Sequence, residues 1–295
     1  MDFGAIAREL AALAGVRCAP APQQSLAAGG MSSCYRWPAA GATLFVKVGA
    51  RSALDAFAAE AAGLGELAAA RALRVPRVLA SGAAEDAAFL ALEWIDALPA
   101  DEACARRLGE GLAALHAVSA PRFGWRRDNT IGRTPQANGW CDDWVEFFRE
   151  RRLRPQLALT ARQDFAALLA APGERLLDAL PLLLDGHRPA PSLLHGDLWG
   201  GNWLAAADGE PVIFDPAVYY GDRETDLAMT RLFGGFGAAF YRAYEAAAPP
   251  APGARRRGEL YNLYHVLNHA NLFGGGYARQ ARALIERLLS ELPAR

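Results

Sequence analysis

Cysteine is scarce and scattered in this 295-residue chain, with four residues at positions 18, 34, 104 and 141. No two of them have C-x-x-C spacing and no histidine stands at ligand spacing from them. That pattern excludes a zinc site, a redox pair and a disulfide framework. A basic excess is also lacking: the net charge is -1, whereas a protein that neutralises nucleic-acid phosphates usually carries one. The only tight basic cluster, Arg255-Arg256-Arg257, follows the Pro-rich stretch 249–252 and reads as a solvated loop. No long apolar run is free of charge, so nothing is predicted to span a membrane. The N-terminus carries Asp2, Arg8 and Glu9 and lacks the basic start and unbroken apolar run of a signal peptide. The expectation is a soluble, cytoplasmic protein that engages neither nucleic acid nor membrane.

What the chain has is apolar content, 52%, enough to bury one large core or two modest ones. Residues 2–14 place Phe3, Ile6, Leu10 and Leu13 at helical spacing. Residues 33–37 and 43–48 read as strands, and the alternation in the second puts Leu44, Val46 and Val48 on one face and Lys47 on the other. A helix over 53–72 and strands over Val78–Ser81 and Ala88–Ile95 follow. Strand, strand, helix, strand, strand predicts a small, mostly antiparallel sheet with one helix packed on it. After Asp96-Ala97-Leu98-Pro99 the pattern turns helical, over 101–117, 140–152, 160–185, 224–248 and 257–293. Short apolar segments at Ser192–His195, Trp203–Ala205 and Val212–Phe214 interrupt it. The predicted fold class is α+β, with a small N-terminal lobe over 1–95, a hinge near 94–98 and a larger, mostly helical lobe over 96–295.

Three features carry chemistry, in order along the chain. The Gly-containing turn Ala28-Gly29-Gly30-Met31-Ser32-Ser33 can bring backbone N–H groups, with the Ser32 hydroxyl, close to phosphate, although a plain hairpin turn would look the same. Lys47 can face a cleft from its strand, held in place by Glu60 on the next helix against nucleotide phosphates, or be a surface lysine on a sheet edge. Asp197 is followed five residues later by Asn202, and Asp215 ends the apolar run Val212-Ile213-Phe214. Phosphoryl transfer needs one carboxylate to accept the hydroxyl proton and further oxygens to hold Mg²⁺ against the phosphates. A D-x-x-x-x-N loop followed by a strand ending in Asp supplies both.

These residues carry a family resemblance. His195-Gly196-Asp197-Leu198-Trp199-Gly200-Gly201-Asn202 and Ile213-Phe214-Asp215 resemble the catalytic and metal loops of the protein-kinase-like superfamily, in its aminoglycoside phosphotransferase and choline kinase branch. The segments 215–229, 128–136, 143–148 and 264–276 resemble the fructosamine kinase (ketosamine-3-kinase) family. The resemblance implies a bilobal protein-kinase-like fold, ATP and Mg²⁺ as cofactors, and a small-molecule or protein-bound sugar-amine as acceptor, phosphorylated on its 3-hydroxyl and thereby deglycated. It implies Asp197 as base, Asn202 and Asp215 as metal ligands, and Lys47 with Glu60 as the phosphate-holding pair. Backbone groups of Glu93 and Ile95 would meet adenine. His195 would structure the loop, and Asp222 and Asp226 would brace it, with Asp222 capping the helix that starts near Glu224. The chain departs from the family pattern at Gly30-Met31 and at Gly200. Cys34, one residue before the strand tyrosine, reads as a buried small hydrophobe.

The acceptor side is sparser. Trp199 can stack on a sugar or on the amine-bearing part of the substrate, or be a core aromatic. Asn129, Gln136 and Asn138 can hydrogen-bond sugar hydroxyls or satisfy loop backbone. His265 and His269 share a helix face and form either a zinc pair or, with no third ligand in view, part of a helix lining the substrate cleft. An aminoglycoside or choline acceptor remains the alternative within the fold. Such a pocket calls for acidic lining, and segments 128–138 and 264–276 hold one acid, Asp128. A non-catalytic nucleotide-binding protein would lack a base or a metal ligand, and none is missing here.

Overall fold

In the computed structural model, which describes residues 2–29 and 32–292, the alternation around Lys47 organises the first lobe. The chain opens with helix α1 (Phe3–Ala14), capped by the Asp2 carboxylate, and runs through strands β1 (Gln24–Gly29), β2 (Ser32–Ala39) and β3 (Ala42–Ala50). Helix α2 (Leu54–Ala70) and strands β4 (Val78–Ala84) and β5 (Ala87–Glu93) complete it. The five strands pair antiparallel in the order β1-β2-β3-β5-β4. Leu44, Val46 and Val48 bury one sheet face against Ile6 and Leu10 of α1. The opposite face packs Leu90 and Leu92 against Phe57 and Leu64 of α2. Each face thus receives one helix, and Lys47 lies on the α2 face.

Strand β1 has no sequence signal, because Gln24-Ser25-Leu26-Ala27-Ala28-Gly29 is poor in β-branched and aromatic residues. It forms because β2 offers a free edge, along which Gln24 to Gly29 pair with Arg36 to Ser32 around one bulge.

The chain crosses to the second lobe through β6 (Ala97–Leu98), which pairs with β10 (Trp203–Ala206), itself paired to β11 (Pro211–Ile213). Between them lie α3 (Glu102–Ala117), the hairpin β7 (Asn129–Ile131) and β8 (Thr134–Gln136), α4 (Trp144–Phe147), a π-helical turn (Phe148–Leu153), α5 (Arg154–Thr160), α6 (Ala166–Leu183) and β9 (Ser192–Leu194). Then come β12 (Tyr219–Gly221), paired to β9, and helices α7 (Glu224–Leu232), α8 (Ala238–Ala247), α9 (Ala254–Phe273) and α10 (Gly276–Ser290). One continuous core, with Leu112, Phe147, Leu180, Leu198, Phe240 and Leu267 at its centre, joins these elements.

Several helices expected as single units are divided. The stretch 257–293 breaks at Gly274 and Gly275, whose φ of 66° and 59° favour glycine. The stretch 224–248 breaks at the glycine-rich segment 234–237. Arg257 also departs from the solvated-loop reading of the basic cluster. It lies 7% exposed in the first turn of α9, and its guanidinium donates two bonds of 2.7 and 2.8 Å to the Glu224 carboxylate.

His265 is buried in the middle of α9, and burial holds its pKa down to about 3, with His269 acting in the same direction. The imidazole is therefore neutral in the folded protein at pH values where the unfolded chain would already be protonated. Between about pH 6.5 and 4 the unfolded state binds more protons, so this group removes stability as pH falls. A His265→Gln variant should show a shallower acid dependence, by about 1 kcal/mol per pH unit in that window, in chemical denaturation series at stepped pH. Parallel curves for the two proteins would contradict this assignment.

Candidate active site

The buried Lys47 ammonium joins the two lobes. It donates to Glu60 of α2 at 2.8 Å and also to the Asp215 carboxylate. Burial works against its charge, but Glu60 and Asp215 outweigh that and hold its pKa above the ordinary lysine value. Burial likewise pushes the Asp215 carboxyl up, and Lys47 more than reverses this, leaving it ionised below the usual range. The Asp215 side chain is 43% exposed toward the cleft. Its backbone sits in the left-handed region at φ 57°, a conformation that aspartate tolerates better than most residues. The turn separates Asp215 from the direction of β11 and aims its carboxylate back at Lys47.

Asp197 and Asn202 face Asp215 across a tight loop. The Asn202 amide donates to the Asp197 carbonyl at 2.8 Å and to its carboxylate at 3.3 Å. Burial, with the charges of Asp215 and Asp226, pushes the Asp197 carboxyl up to about 7. The Asn202 amide oxygen has no hydrogen-bond partner among the described residues. With the Asp215 carboxylate it forms a set of hard oxygen donors, which suits Mg²⁺.

The loop is held from beneath by a second buried acid. Asp226 accepts the backbone N–H groups of His195 at 2.7 Å and Gly196 at 2.9 Å, and it meets His116 at 3.2 Å. His195 accepts the Asp197 N–H on Nδ1 at 3.2 Å, so its proton sits on Nε2, which donates to the Phe214 carbonyl at 2.9 Å. Burial lowers its pKa. This neutral, doubly engaged ring ties the loop to β11 and has no proton to trade. Gly196 has φ 84°, and a Cβ there would stand 2.1 Å from the Ala217 carbonyl, so no other residue fits. The N-cap of α7 is Arg223, one residue after Asp222; Asp222 accepts the Glu224 N–H at 3.0 Å from just ahead of the helix and takes further bonds of 2.6 Å from Tyr261 and His187.

Between the lobes lies a cleft of about 440 Å³ lined by Leu26, Phe45, Leu92, Glu93, Ile95 and Phe214 among others, with Asp215 at its edge. The Ile95 N–H borders it without a backbone or side-chain partner among the described residues, whereas the Glu93 N–H is already bonded to the Arg77 carbonyl at 2.9 Å. Gly29 and Ser32 pair across β1 and β2; Gly30 lies outside the described residues. Cys34 is half-buried opposite Lys47 in the β2–β3 ladder, and burial raises its thiol pKa, in keeping with an inert side chain.

Two expected acceptor contacts are turned inward instead. Gln136 is 1% exposed. Its amide donates to the Asn129 side chain at 2.8 Å and to the Ala217 carbonyl at 3.1 Å, and it accepts the Tyr264 hydroxyl at 2.6 Å. Asn129 donates to the Val218 carbonyl at 2.9 Å, and Asn138 donates to Asn129 at 2.9 Å. These amides brace the backbone just after Asp215 and leave Gln136 no free polar atom for a sugar. Sequence reading missed the residue beneath them. Arg152, wholly buried in the π-helical turn, donates to the Asn138 oxygen at 2.7 Å and to the Ala137 carbonyl at 2.7 Å. Its guanidinium lies 4.0 Å from the Tyr219 ring centroid. A π-turn is the only signal that could have flagged it, and it is not visible in composition.

Trp199 is not a core aromatic; it is 40% exposed in the loop between Asp197 and Asn202. His265 and His269 do not form a metal pair. His269 donates from Nδ1 to the His265 carbonyl at 2.8 Å. Among the described residues the one cluster with ligand spacing is His187, Asp222 and Glu224, where Arg257 already occupies the Glu224 carboxylate.

Replacing Gln136 with Leu leaves the Ala217 carbonyl and the Tyr264 hydroxyl without their partner. The expected cost is about 1–3 kcal/mol of stability, read by chemical denaturation. An unfolding midpoint equal to that of the wild type, with a raised KM for the acceptor, would mean that Gln136 touches substrate after all.

Comparison with known proteins matches this geometry to a family. The fructosamine kinase family model matches residues 3–291. A probable ketoamine kinase of Synechocystis is 48% identical over 246 residues, 83% of this chain and 82% of its own. A chloroplastic protein-ribulosamine 3-kinase of rice is 39% identical over 270 residues, 89% of this chain and 77% of its own. The crystal structure of a putative fructosamine-3-kinase from Thermobifida fusca, 36% identical, superposes with a TM-score of 0.85 over 97% of this chain and 98% of that one. With its two lobes, its Lys47–Glu60 pair and its Asp197, Asn202 and Asp215 cluster, the chain belongs to the fructosamine kinase family.

Proposed function

We propose that the protein transfers the γ-phosphoryl group of ATP to the 3-hydroxyl of a ketosamine, a fructosamine or ribulosamine carried on a free or protein-bound amine. The observation that carries this reading is the convergence of Lys47, Asp197 and Asn202 about Asp215, which lines the interlobe cleft. In the same reading residues 1–95 bind the nucleotide and 96–295 supply the catalytic loop, the metal site and the acceptor cleft. Membership of the family and the names of its relatives support the sugar-amine acceptor. No helix among the described residues is long and apolar enough to cross a membrane.

The chemistry follows from the residues. Adenine lies in the apolar cleft against Phe45, Leu92 and Phe214, with the Ile95 N–H as donor. Lys47, fixed by Glu60, offers its ammonium to the phosphates. Asn202 and Asp215 would hold Mg²⁺, which when bound offsets charge on the transferring phosphoryl group. Asp197 accepts the proton of the acceptor hydroxyl as that oxygen bonds to the γ-phosphorus and ADP leaves. A carboxylate held near neutrality is a stronger base than an ordinary aspartate and is suited to this step. His195, lacking a free proton, takes no part beyond holding the loop.

The test is a panel of ribulosamines, fructosamines, aminoglycosides and choline assayed for ADP release. Turnover confined to the ketosamines is the expected result, and selective turnover of choline or an aminoglycoside would replace the reading with the alternative acceptor. Asp197→Asn should keep nucleotide affinity and lower turnover by roughly two to four orders of magnitude. Wild-type turnover in that variant would remove Asp197 from the mechanism.

A further inference from the structure

Three of the large apolar side chains that reach solvent stand together beside the catalytic loop. Trp199, Phe233 and Phe273 are 40%, 41% and 65% exposed, and His269 and Tyr277 link them into a run of rings. Trp199 meets Phe233 edge-on at 6.2 Å between centroids, and Phe233 meets His269 at 5.1 Å. His269 then meets Phe273 at 5.6 Å and Tyr277 at 5.1 Å. The rings come from the catalytic loop, the end of α7 and the α9–α10 corner, so no single amphipathic helix accounts for them. Single exposed rings are ordinary, but contiguous ones mark an interaction surface. Core packing does not explain the run either, since its outer member, Phe273, is the most exposed. Its inner end is fixed. The Trp199 ring lies over Gly201, where a Cβ would stand 2.3 Å from the ring.

We propose that this run seats the amine-bearing half of the acceptor. Its outer members, Phe273 and Tyr277, take the peptide on which a glycated lysine is carried. The proposal rests on the ketosamine reading of the site. Trp199 stands two residues from Asp197 in the chain, so a sugar hydroxyl at Asp197 directs the neighbouring amine toward Trp199 and Phe233. A protonated secondary amine is attracted to the negative faces of aromatic rings. A lysine stem of four methylenes spans only about 6 Å. Three ring-to-ring steps, each between 5.1 and 6.2 Å, lead from Trp199 through Phe233 and His269 to Phe273, and a stem of that length covers one of them. The outer rings are therefore beyond the reach of a small free amine and within reach of the residues flanking a modified lysine.

The experiment uses the full chain and two acceptors with the same sugar. One is the ribulosamine of methylamine, and the other is the ribulosamine on the lysine ε-amine of a nine-residue peptide. The Phe273→Ala/Tyr277→Ala double variant is expected to raise KM for the peptide adduct about tenfold, the scale of two lost aromatic contacts. Its KM for the methylamine adduct, its KM for ATP and its kcat should stay at wild-type values, and Tyr277→Phe, which keeps the ring, should behave as wild type. Because Phe273 is largely exposed, the double variant should melt with the wild type, which circular dichroism checks. An equal rise in KM for both adducts, or no rise for either, would overturn the role of the outer rings and leave the ketosamine reading standing. Absence of phosphorylation of both adducts by the wild-type enzyme would overturn that reading and this proposal together.

Discussion

An ammonium group buried between two lobes costs several kcal/mol in lost hydration unless opposite charge meets it at contact distance. Lys47 is such a group, 7% exposed, and the arrangement of the first lobe follows from meeting that demand. The strand alternation that buries Leu44, Val46 and Val48 under α1 forces Lys47 onto the other face. There α2 must bring an acid, and Glu60 is that acid. The remaining compensation comes from Asp215, 168 positions away in sequence. One ion-pair network therefore specifies the packing of α2, the approach of the lobes and the direction of the Asp215 carboxylate.

The second lobe solves a different problem, that of holding a glycine-rich loop still. Asp226 does so by accepting two consecutive backbone N–H groups, and His195 by bonding on both ring nitrogens. Neither residue needs to touch a reactant. The division of labour among the acids follows from their surroundings. Asp226 is satisfied by donors and stays ionised; Asp215 is matched by Lys47. Asp197 has only an asparagine amide against burial and two like charges, so of these three aspartates it is the one pushed up, to about 7. Environment, and not residue type, separates Asp197 from its neighbours.

Much of this was legible in the chain. Lys47 was readable because a lysine inside Phe45-Val46-Lys47-Val48 breaks an apolar pattern, and Asp197, Asn202 and Asp215 because a D-x-x-x-x-N loop followed by a strand ending in Asp is a pattern that suits phosphoryl transfer. The antiparallel sheet followed from strand alternation. What stayed hidden depended on partners distant in sequence. Strand β1 exists only because β2 has an edge to fill. Gln136 and Asn129 could be read as sugar contacts or as backbone partners, since an exposed loop amide and an inward brace have the same local sequence. Arg152 gave no signal, because a cation held by carbonyls, an amide oxygen and ring faces leaves no acidic partner to find. The ring run from Trp199 to Tyr277 assembles from three segments and has no periodicity.

The amide brace beneath residues 215–219 has a property that a brace of ion pairs would lack. Asn129, Gln136 and Asn138 carry side chains that do not titrate, and the Arg152 guanidinium beneath them is sealed from mobile ions. Dissolved salt screens exposed charges within about 10 Å at 0.1 M ionic strength but has little purchase on neutral dipoles in a dry interior. The backbone that carries Asp215 is thus insulated from the ionic composition of its surroundings. Changes in buffer would act on the charges that enter the cleft and leave the shape that receives them as it was.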